Sequence, residues 1–462
     1  MDQFALAELP FEIVLRIVHA VDERDSSPTF PRGPSDSLLA LASVNRWFSK
    51  ICRPLIFRSI KYQPLAPGPH PPQFRQARSL KALLTILRES TEPIRVQELS
   101  IEQTASFFLL REMDESEDET ADVINLVKTL VNSGLQVLFL KEMSFSREEA
   151  GELLDTIVSA PRLSALRFNQ VEIHALPSSV MEKLPTLPRI RTLQIMHGSG
   201  QLLKLVSKCP NLDSLLLWPS SRRLGAHIDV IQSLLPRLRL LSMDSVRDPS
   251  AFRNLGDEII RIASERYAEP FPLEELFLEG PMSTSDRSLL VSALAHLPSL
   301  RRLALYQARN PTPTLFNEIY ASRPELRSLT VMAGDCDGSL LWPCPLEEYL
   351  PALSQFKSLE FYASDRRAPP SPDQLTDLRA ITRSNPGGFS QSALEFQSFA
   401  KLAKACVNLT EAVAIDQDVS EGTTGYFAEF SKEKGKIRIS QRMRTANDFL
   451  VSYERWIRVE ED

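Results

Sequence analysis

Apolar positions along this chain recur as a short stanza, Leu-x-x-Leu-x-Leu, usually announced by a proline. Leu212, Leu215 and Leu217 follow Cys209-Pro210; Leu273, Leu276 and Leu278 follow Pro272; Leu300, Leu303 and Leu305 follow Pro298; Leu326, Leu329 and Val331 follow Pro324. Looser copies are Leu135/Leu138/Leu140, Leu163/Leu166/Phe168, Ile190/Leu193/Ile195, Leu238/Leu241/Met243 and Phe356/Leu359/Phe361. Between middle residues 99, 138, 166, 193, 215, 241, 276, 303, 329 and 359 the intervals are 39, 28, 27, 22, 26, 35, 27, 26 and 30, clustering near 27. That pitch suits one strand plus one helix per repeat, stacked into a single array. Segments such as Gln201 to Lys208 and Asp286 to Ala295 carry apolar residues three and four apart, as a helix packed on a strand requires.

Parallel strands sit about 4.8 Å apart, whereas packed helices need roughly 8–10 Å. The expected fold is therefore an α/β solenoid bent into a horseshoe, with parallel strands on the concave face and helices on the convex face. A doubly wound α/β domain is the alternative; it would show Gly-rich turns after strands and less even spacing. Each stanza's three apolar residues point into the core, and the residues between them face outward, because strand side chains alternate. Those just before the last stanza residue are Ser100, Phe139, Arg167, Gln194, Leu216, Ser242, Phe277, Ala304, Thr330 and Glu360; those just after include Glu102, Lys141, Asn169, Trp218, Glu279, Tyr306 and Tyr362. Aromatic and arginine side chains dominate binding hot spots. Phe139, Arg167, Trp218, Phe277, Tyr306 and Tyr362 are thus the candidates for gripping a protein substrate, unless loops fold over them.

Stretches that break the pitch predict loops at 63–76, 111–122, 333–345 and 364–388, the last with a short helix from Asp373 to Ile381. The acidic run REMDESEDETAD at 111–122 accounts for the 39-residue interval. A helix is expected at about Ala77 to Arg88, another from Ala393 to Cys406, and a strand from Leu409 to Ile415. Tyr426 to Ser431 and Lys436 to Gln441 flank Lys-Glu-Lys-Gly and predict a hairpin. Thr445 to Val459 is expected to be helical, completing a cap over 426–462.

The first 56 residues repeat nothing downstream. Leu9, Ile13, Ile17 and Val21 fall four apart on a helix that Pro10 can start. After a polar, proline-containing break from Asp22 to Asp36, Val44, Phe48, Ile51 and Leu55 mark another stripe. Helices this short need a partner helix or the adjoining array to complete their core. Phe57, Ile60 and Tyr62 already obey the stanza spacing, so the array, spanning 57–425, is expected to start with no hinge.

These residues carry a resemblance. The run LPFEIVLRIVHAV, followed by SLLALASVNRWFSKICRPLIFRSI, resembles an F-box of the fungal type, a small three-helix module. With the repeats behind it the chain resembles F-box proteins with leucine-rich repeats. The resemblance implies that the helical module docks a Skp-type adaptor, and through it a cullin ubiquitin ligase, while the repeats hold a protein substrate. Carried over by position, Leu9, Pro10, Ile13 and Ile17 from the first helix, and Leu38, Leu41, Val44 and Trp47 from the later ones, would enter the adaptor groove. The alternative is that these residues form the module's own core. Two departures stand out: the long first connection, and the lack of asparagine three residues after the last stanza residue, where Val171, Gly198, Ser220, Val246, Pro281, Ala308 and Gly334 stand.

Composition fits an intracellular, cytoplasmic or nuclear interaction protein. The balance of 53 basic and 59 acidic residues gives −6, which favours neither nucleic acid nor an anionic membrane. The five cysteines, irregularly spaced, suggest reduced thiols and no metal site. The opening residues lead us to expect no secretory signal, and no 18-residue apolar span occurs in the sequence. There is no Walker motif, His-Glu-x-x-His or Gly-x-Ser-x-Gly, Gly198-Ser-Gly200 lacks the third glycine of a dinucleotide loop, and the six histidines show no ligand or triad spacing. No enzyme activity and no cofactor are expected. The remaining alternatives are an F-box scaffold outside a ligase and a repeat-type GTPase activator like the Ran GTPase-activating proteins, for which Arg222 and Arg223 are the only tempting pair.

Overall fold

The computed structural model describes residues 15–16, 18, 36–44, 46–62, 80–89, 95–102, 117–173, 178–197, 200–218, 228–243, 250–265, 271–280, 282–306, 308, 311–333, 342–365, 398–416, 424–433, 436–444 and 449–458. The chain divides into two compact units, one of residues 1–212 with 219–221, the other of 213–218 with 222–462. The division falls inside the repeat region, and each unit is built on the same plan.

In the first unit, helices Asp36–Val44 and Arg46–Ile56 lead into β1 (Ser59–Tyr62), β2 (Glu98–Glu102), β3 (Val137–Lys141), β4 (Ser144–Phe145), β5 (Ala165–Asn169), β6 (Glu172–Ile173) and β7 (Thr192–Met196). Strands β1, β2, β3, β5 and β7 pair in parallel in that order, while β4 and β6 form a separate two-stranded ladder. Helices Leu80–Glu89, Glu117–Ser133 and Arg147–Ser159 lie side by side in chain order. In register, Ile60, Leu99, Leu138, Leu166 and Leu193 form one row, and Tyr62, Ile101, Leu140, Phe168 and Ile195 the next. All are buried. The expectation that Ile60 and Tyr62 open the array is therefore met.

The second unit continues with β8 (Ser214–Trp218), β9 (Leu240–Met243), β10 (Glu275–Glu279), β11 (Arg302–Tyr306), β12 (Ser328–Val331), β13 (Phe361–Asp365) and β14 (Glu411–Asp416), again parallel neighbours. Leu215, Leu241, Leu276, Leu303 and Leu329 share a row, and the next residue in it is Tyr362. Helices Ser250–Glu265, Thr284–Leu294, Pro313–Ser322 and Leu346–Leu353 stack in the same order. Their buried stripes, such as Leu290, Val291 and Leu294 or Leu315, Phe316 and Ile319, complete the core against the leucine rows.

One contact repeats at the entrances of the parallel strands within each unit. The carbonyl of the residue just before a strand accepts two N–H bonds from the next repeat: Gln97 and Glu98 donate to Arg58, Gln136 and Val137 to Gln97, Ser164 and Ala165 to Gln136, and Arg191 and Thr192 to Ser164, at 2.7–3.1 Å. The second unit repeats this from Asp213 through Arg239, Glu274, Arg301, Arg327 and Glu360 to Thr410. Side chains add rungs at the preceding turn. Asn211 Nδ2 donates to the Pro188 carbonyl at 2.9 Å, and the Arg323 guanidinium to the Pro298 carbonyl at 2.6 Å.

At the strand exits the first unit uses left-handed residues. Glu142, Gln170 and His197, each one residue beyond a strand, have φ of 56°, 54° and 49°. The first two donate their N–H to the carbonyls of Asn169 and Met196 in the following repeat, at 2.8 and 2.7 Å. Farther on, Val171 and Ala308 occupy the expected asparagine positions as fully buried apolar residues.

Four expectations need correction. Tyr362 is a core residue, because the last copy is Leu359-x-x-Tyr362-x-Ser364 and not Phe356/Leu359/Phe361; burial pushes its phenol well above the ordinary value. The acidic run at 111–122 is not all loop. Helix Glu117–Ser133 starts within it. The loop expected from 364 starts later, since Ser364 and Asp365 end β13. Finally, the expected C-terminal helix is a strand: β15 (Thr424–Glu433), β16 (Lys436–Arg444) and β17 (Phe449–Arg458) form an antiparallel meander added to β14. The hairpin is as expected. The loop expected at 63–76 and the helix at 373–381 lie outside the described residues, as does most of the 333–345 loop, although Trp342 within it is buried.

The register gives a test. Tyr362→Ala and Leu329→Ala should each cost about 2–5 kcal/mol of stability in urea unfolding, whereas Arg302→Ala on the opposite face should cost less than about 1 kcal/mol. A Tyr362→Ala chain as stable as the parent would place that side chain outside the core.

Candidate functional site

The helical segment has a core of Val18, Leu38, Phe48 and Cys52, with Leu41, Ala42, Ile51, Leu55 and Ile56 packed on it. Leu38 is fully buried, so its expected place on a docking surface is corrected: it holds the two helices together. Leu41 is half-buried. Val44 at 64% and Trp47 at 37% exposure are, with Val407, the large apolar side chains left in solvent among the described residues. The Trp47 ring meets Phe48 edge-on, centroids 5.0 Å apart, which fixes the exposed indole by its buried neighbour. Leu9, Pro10, Ile13 and Ile17 lie outside the described residues.

On the sheet face opposite the leucine rows, the first unit aligns Lys61, Ser100, Phe139, Arg167 and Gln194 across five strands. A second row holds Glu102, Lys141, Asn169 and Met196. Glu102 is shared: Lys61 stands 3.6 Å away, and Lys141 donates to it. Burial alone would lower the Lys141 pKa, but its bonds and charges with Glu102 and Glu142 outweigh that and raise it. Ser100 is nearly inaccessible, at 1% exposure, yet its Oγ has no partner among the described residues. Arg167 Nε and Asn169 Oδ1 are likewise buried and unpartnered.

The second unit presents Leu216, Ser242, Phe277, Ala304, Thr330, Ala363 and Val413 as its corresponding row. Phe277 is half-buried between the small residues Ser242 and Ala304. Trp218 Nε1 donates to Ser242 Oγ at 3.4 Å, and Tyr306 is in register with Glu279. The sequence therefore places Phe139 and Arg167 together in one unit and Trp218, Phe277 and Tyr306 together in the other. Tyr362 joins neither set. The sequence reading passed over Asp365, buried at 3% exposure, which accepts bonds from the Ala333 N–H at 3.0 Å and from Trp342 Nε1. Its signal lay in the register slip at β13, which only the structure reveals.

No protein-family model matches the chain. No curated protein matches it either. Among solved structures, it is similar to the yeast complex of Rad7 and Elc1, at 12% identity and a TM-score of 0.44, over 81% of this chain and 86% of that one. It is also similar to the complex of TLR13 with ssRNA13, at 16% identity and a TM-score of 0.27, over 59% of this chain and 38% of that one.

Among the described residues no group of three or more His, Cys, Asp or Glu is arranged to hold a metal ion. No described helix is long and apolar enough to cross a membrane. Burial pushes the Cys209 thiol up to about 12, which removes its nucleophilic thiolate at neutral pH. Arg222 and Arg223 lie outside the described residues.

The outward placement of Val44 and Trp47 is testable by thermal or urea unfolding. Val44→Ser should change stability by no more than about 0.5 kcal/mol and Trp47→Ala by about 1 kcal/mol, against about 3–5 kcal/mol for Phe48→Ala. Equal losses for all three would mean that the pair belongs to the core.

Proposed function

We propose that the chain is a substrate receptor of a ubiquitin ligase of the Skp–cullin–F-box type. The helical segment docks a Skp-type adaptor and the strand faces hold a protein substrate. The observation that carries this reading is the exposure of Val44 and Trp47 on helices whose sequence resembles an F-box. Solvent-facing tryptophan has a cost unless something covers it, and indole is among the side chains most enriched at interface centres. The parallel array supports the second half: successive strands present one outward side chain per repeat in fixed register, so a partner meets a long, pre-ordered surface. In this reading the chain performs no chemistry itself; it brings a protein to the cullin's machinery.

Co-expression with a Skp-type adaptor tests it. The full chain should co-elute with the adaptor and, on addition of a cullin, form the ternary complex. Trp47→Ala and Val44→Asp should each weaken adaptor binding by about tenfold or more, as hot-spot truncations do. Failure of the unmodified chain to bind, or binding unchanged in both variants, would refute the docking. A stable adaptor complex that admits no cullin would favour the scaffold reading instead.

A further inference from the structure

On the first unit's outward sheet face, hydrogen-bonding atoms on β2 and β5, with β3 between them, lack partners among the described residues. Ser100 Oγ on β2, Arg167 Nε on β5 and Asn169 Oδ1, two residues farther along β5, are buried and unsatisfied. Ser100 and Arg167 belong to one register row, with only Phe139 between them. Buried polar groups are ordinarily paired, because desolvation without a partner is costly. Three in one place amount to recognition chemistry without its counterpart. The nearby charges do not supply it: Glu102 is engaged by Lys61 and Lys141, and among the described residues no carboxylate pairs with Arg167.

We propose that this face binds an extended protein segment through an acidic side chain, its carboxylate held by Arg167. The guanidinium is always charged and its planar fork matches a carboxylate, which makes it selective for that group over an amide. Phe139 offers the aliphatic stem of the acidic residue a ring to pack on. Ser100 Oγ and Asn169 Oδ1 take main-chain groups of the segment, the hydroxyl as donor or acceptor and the amide oxygen as acceptor from an N–H. Adjacent strands lie about 4.8 Å apart and an extended chain rises about 3.4 Å per residue, so roughly three residues of the segment span Ser100 to Arg167. The inference rests on the reading of this face as the substrate surface and names what that surface selects.

Arrays of acetylated, amidated peptides with a central Glu, Gln or phosphoserine in a randomised background, probed with the full chain at neutral pH, test it without any adaptor. The Glu pools should be retained about ten- to a hundredfold more strongly than the Gln pools, the range expected for a charge-assisted pair. Arg167→Gln should abolish that preference while leaving thermal stability equal or higher, since no described residue pairs with the Arg167 Nε. Ser100→Ala should weaken retention of Glu and Gln pools alike. Equal retention of Glu and Gln pools, or a Glu preference that survives Arg167→Gln, would overturn the proposal; selection of phosphoserine pools alone would overturn the carboxylate assignment. Because the adaptor is absent from the assay, a negative result leaves the docking reading standing, and a failed adaptor experiment leaves this one untouched.

Discussion

The rows displayed on the strand faces of each unit depend on one contact: the carbonyl preceding a parallel strand, which receives two N–H groups from the repeat that follows within the unit. A single bond would let a parallel strand slip. Two bonds to one oxygen, from adjacent residues, fix the entrance of the next strand. A slip of one residue would turn every leucine outward and every outward residue inward. The buried rows from Ile60 to Leu193 and from Leu215 to Tyr362 reinforce the same register. Main chain and side chain thus impose the same answer, and the outward rows inherit a spacing they do not themselves determine.

The strand exits show how the array dispenses with an asparagine ladder. An asparagine there would bond turn backbones through its side chain. Here Glu142 and Gln170 enter the left-handed region, and their own N–H groups reach the next repeat. Such a conformation is strained for a residue with a Cβ. What it gains is room: Val171, just beyond Gln170, adds an apolar side chain to the core. Polar satisfaction moves from side chain to main chain, and the side-chain position becomes available for packing.

The pitch of the leucines carried most of the fold because register and burial come from the same residues. Nine of the ten middle positions, from Leu99 to Leu329, fall in their expected rows. The tenth fails where an aromatic residue, Tyr362, stands in for leucine and a neighbouring leucine, Leu359, imitates it three positions early. The C-terminal strand was misassigned for a related reason. Phe449 to Arg458 mixes charged and apolar residues without a clean period, and its state is set by pairing with β16, a long-range contact that local spacing cannot express. Leu38 shows a different limit. Membership in a resembling motif does not separate the leucine that binds the module together from Val44 and Trp47, which face out; that distinction is one of burial. The unpartnered atoms of Ser100, Arg167 and Asn169 had no sequence signal, since a polar residue between two apolar ones, as Ser100 stands between Leu99 and Ile101, is common on any strand.

The way the helices meet the strands has a consequence for function. Helix Arg46–Ile56 ends at residues whose carbonyls already receive the next turn: Phe57 N–H donates to Arg53 at 3.1 Å and Arg58 N–H to Leu55 at 3.2 Å. Arg58 then supplies the first of the two-bond carbonyls and its Nε bonds Gln97 at 3.0 Å. No linker intervenes between Cys52, in the helical core, and Ile60, in the first leucine row. A hinge would need residues free to change φ and ψ, and every residue here is held by a helix bond or by a strand. Whatever engages Trp47 is therefore held at a set distance and angle from Arg167 in the same unit. The chain achieves this continuity by making the last helix turn the first rung of the ladder.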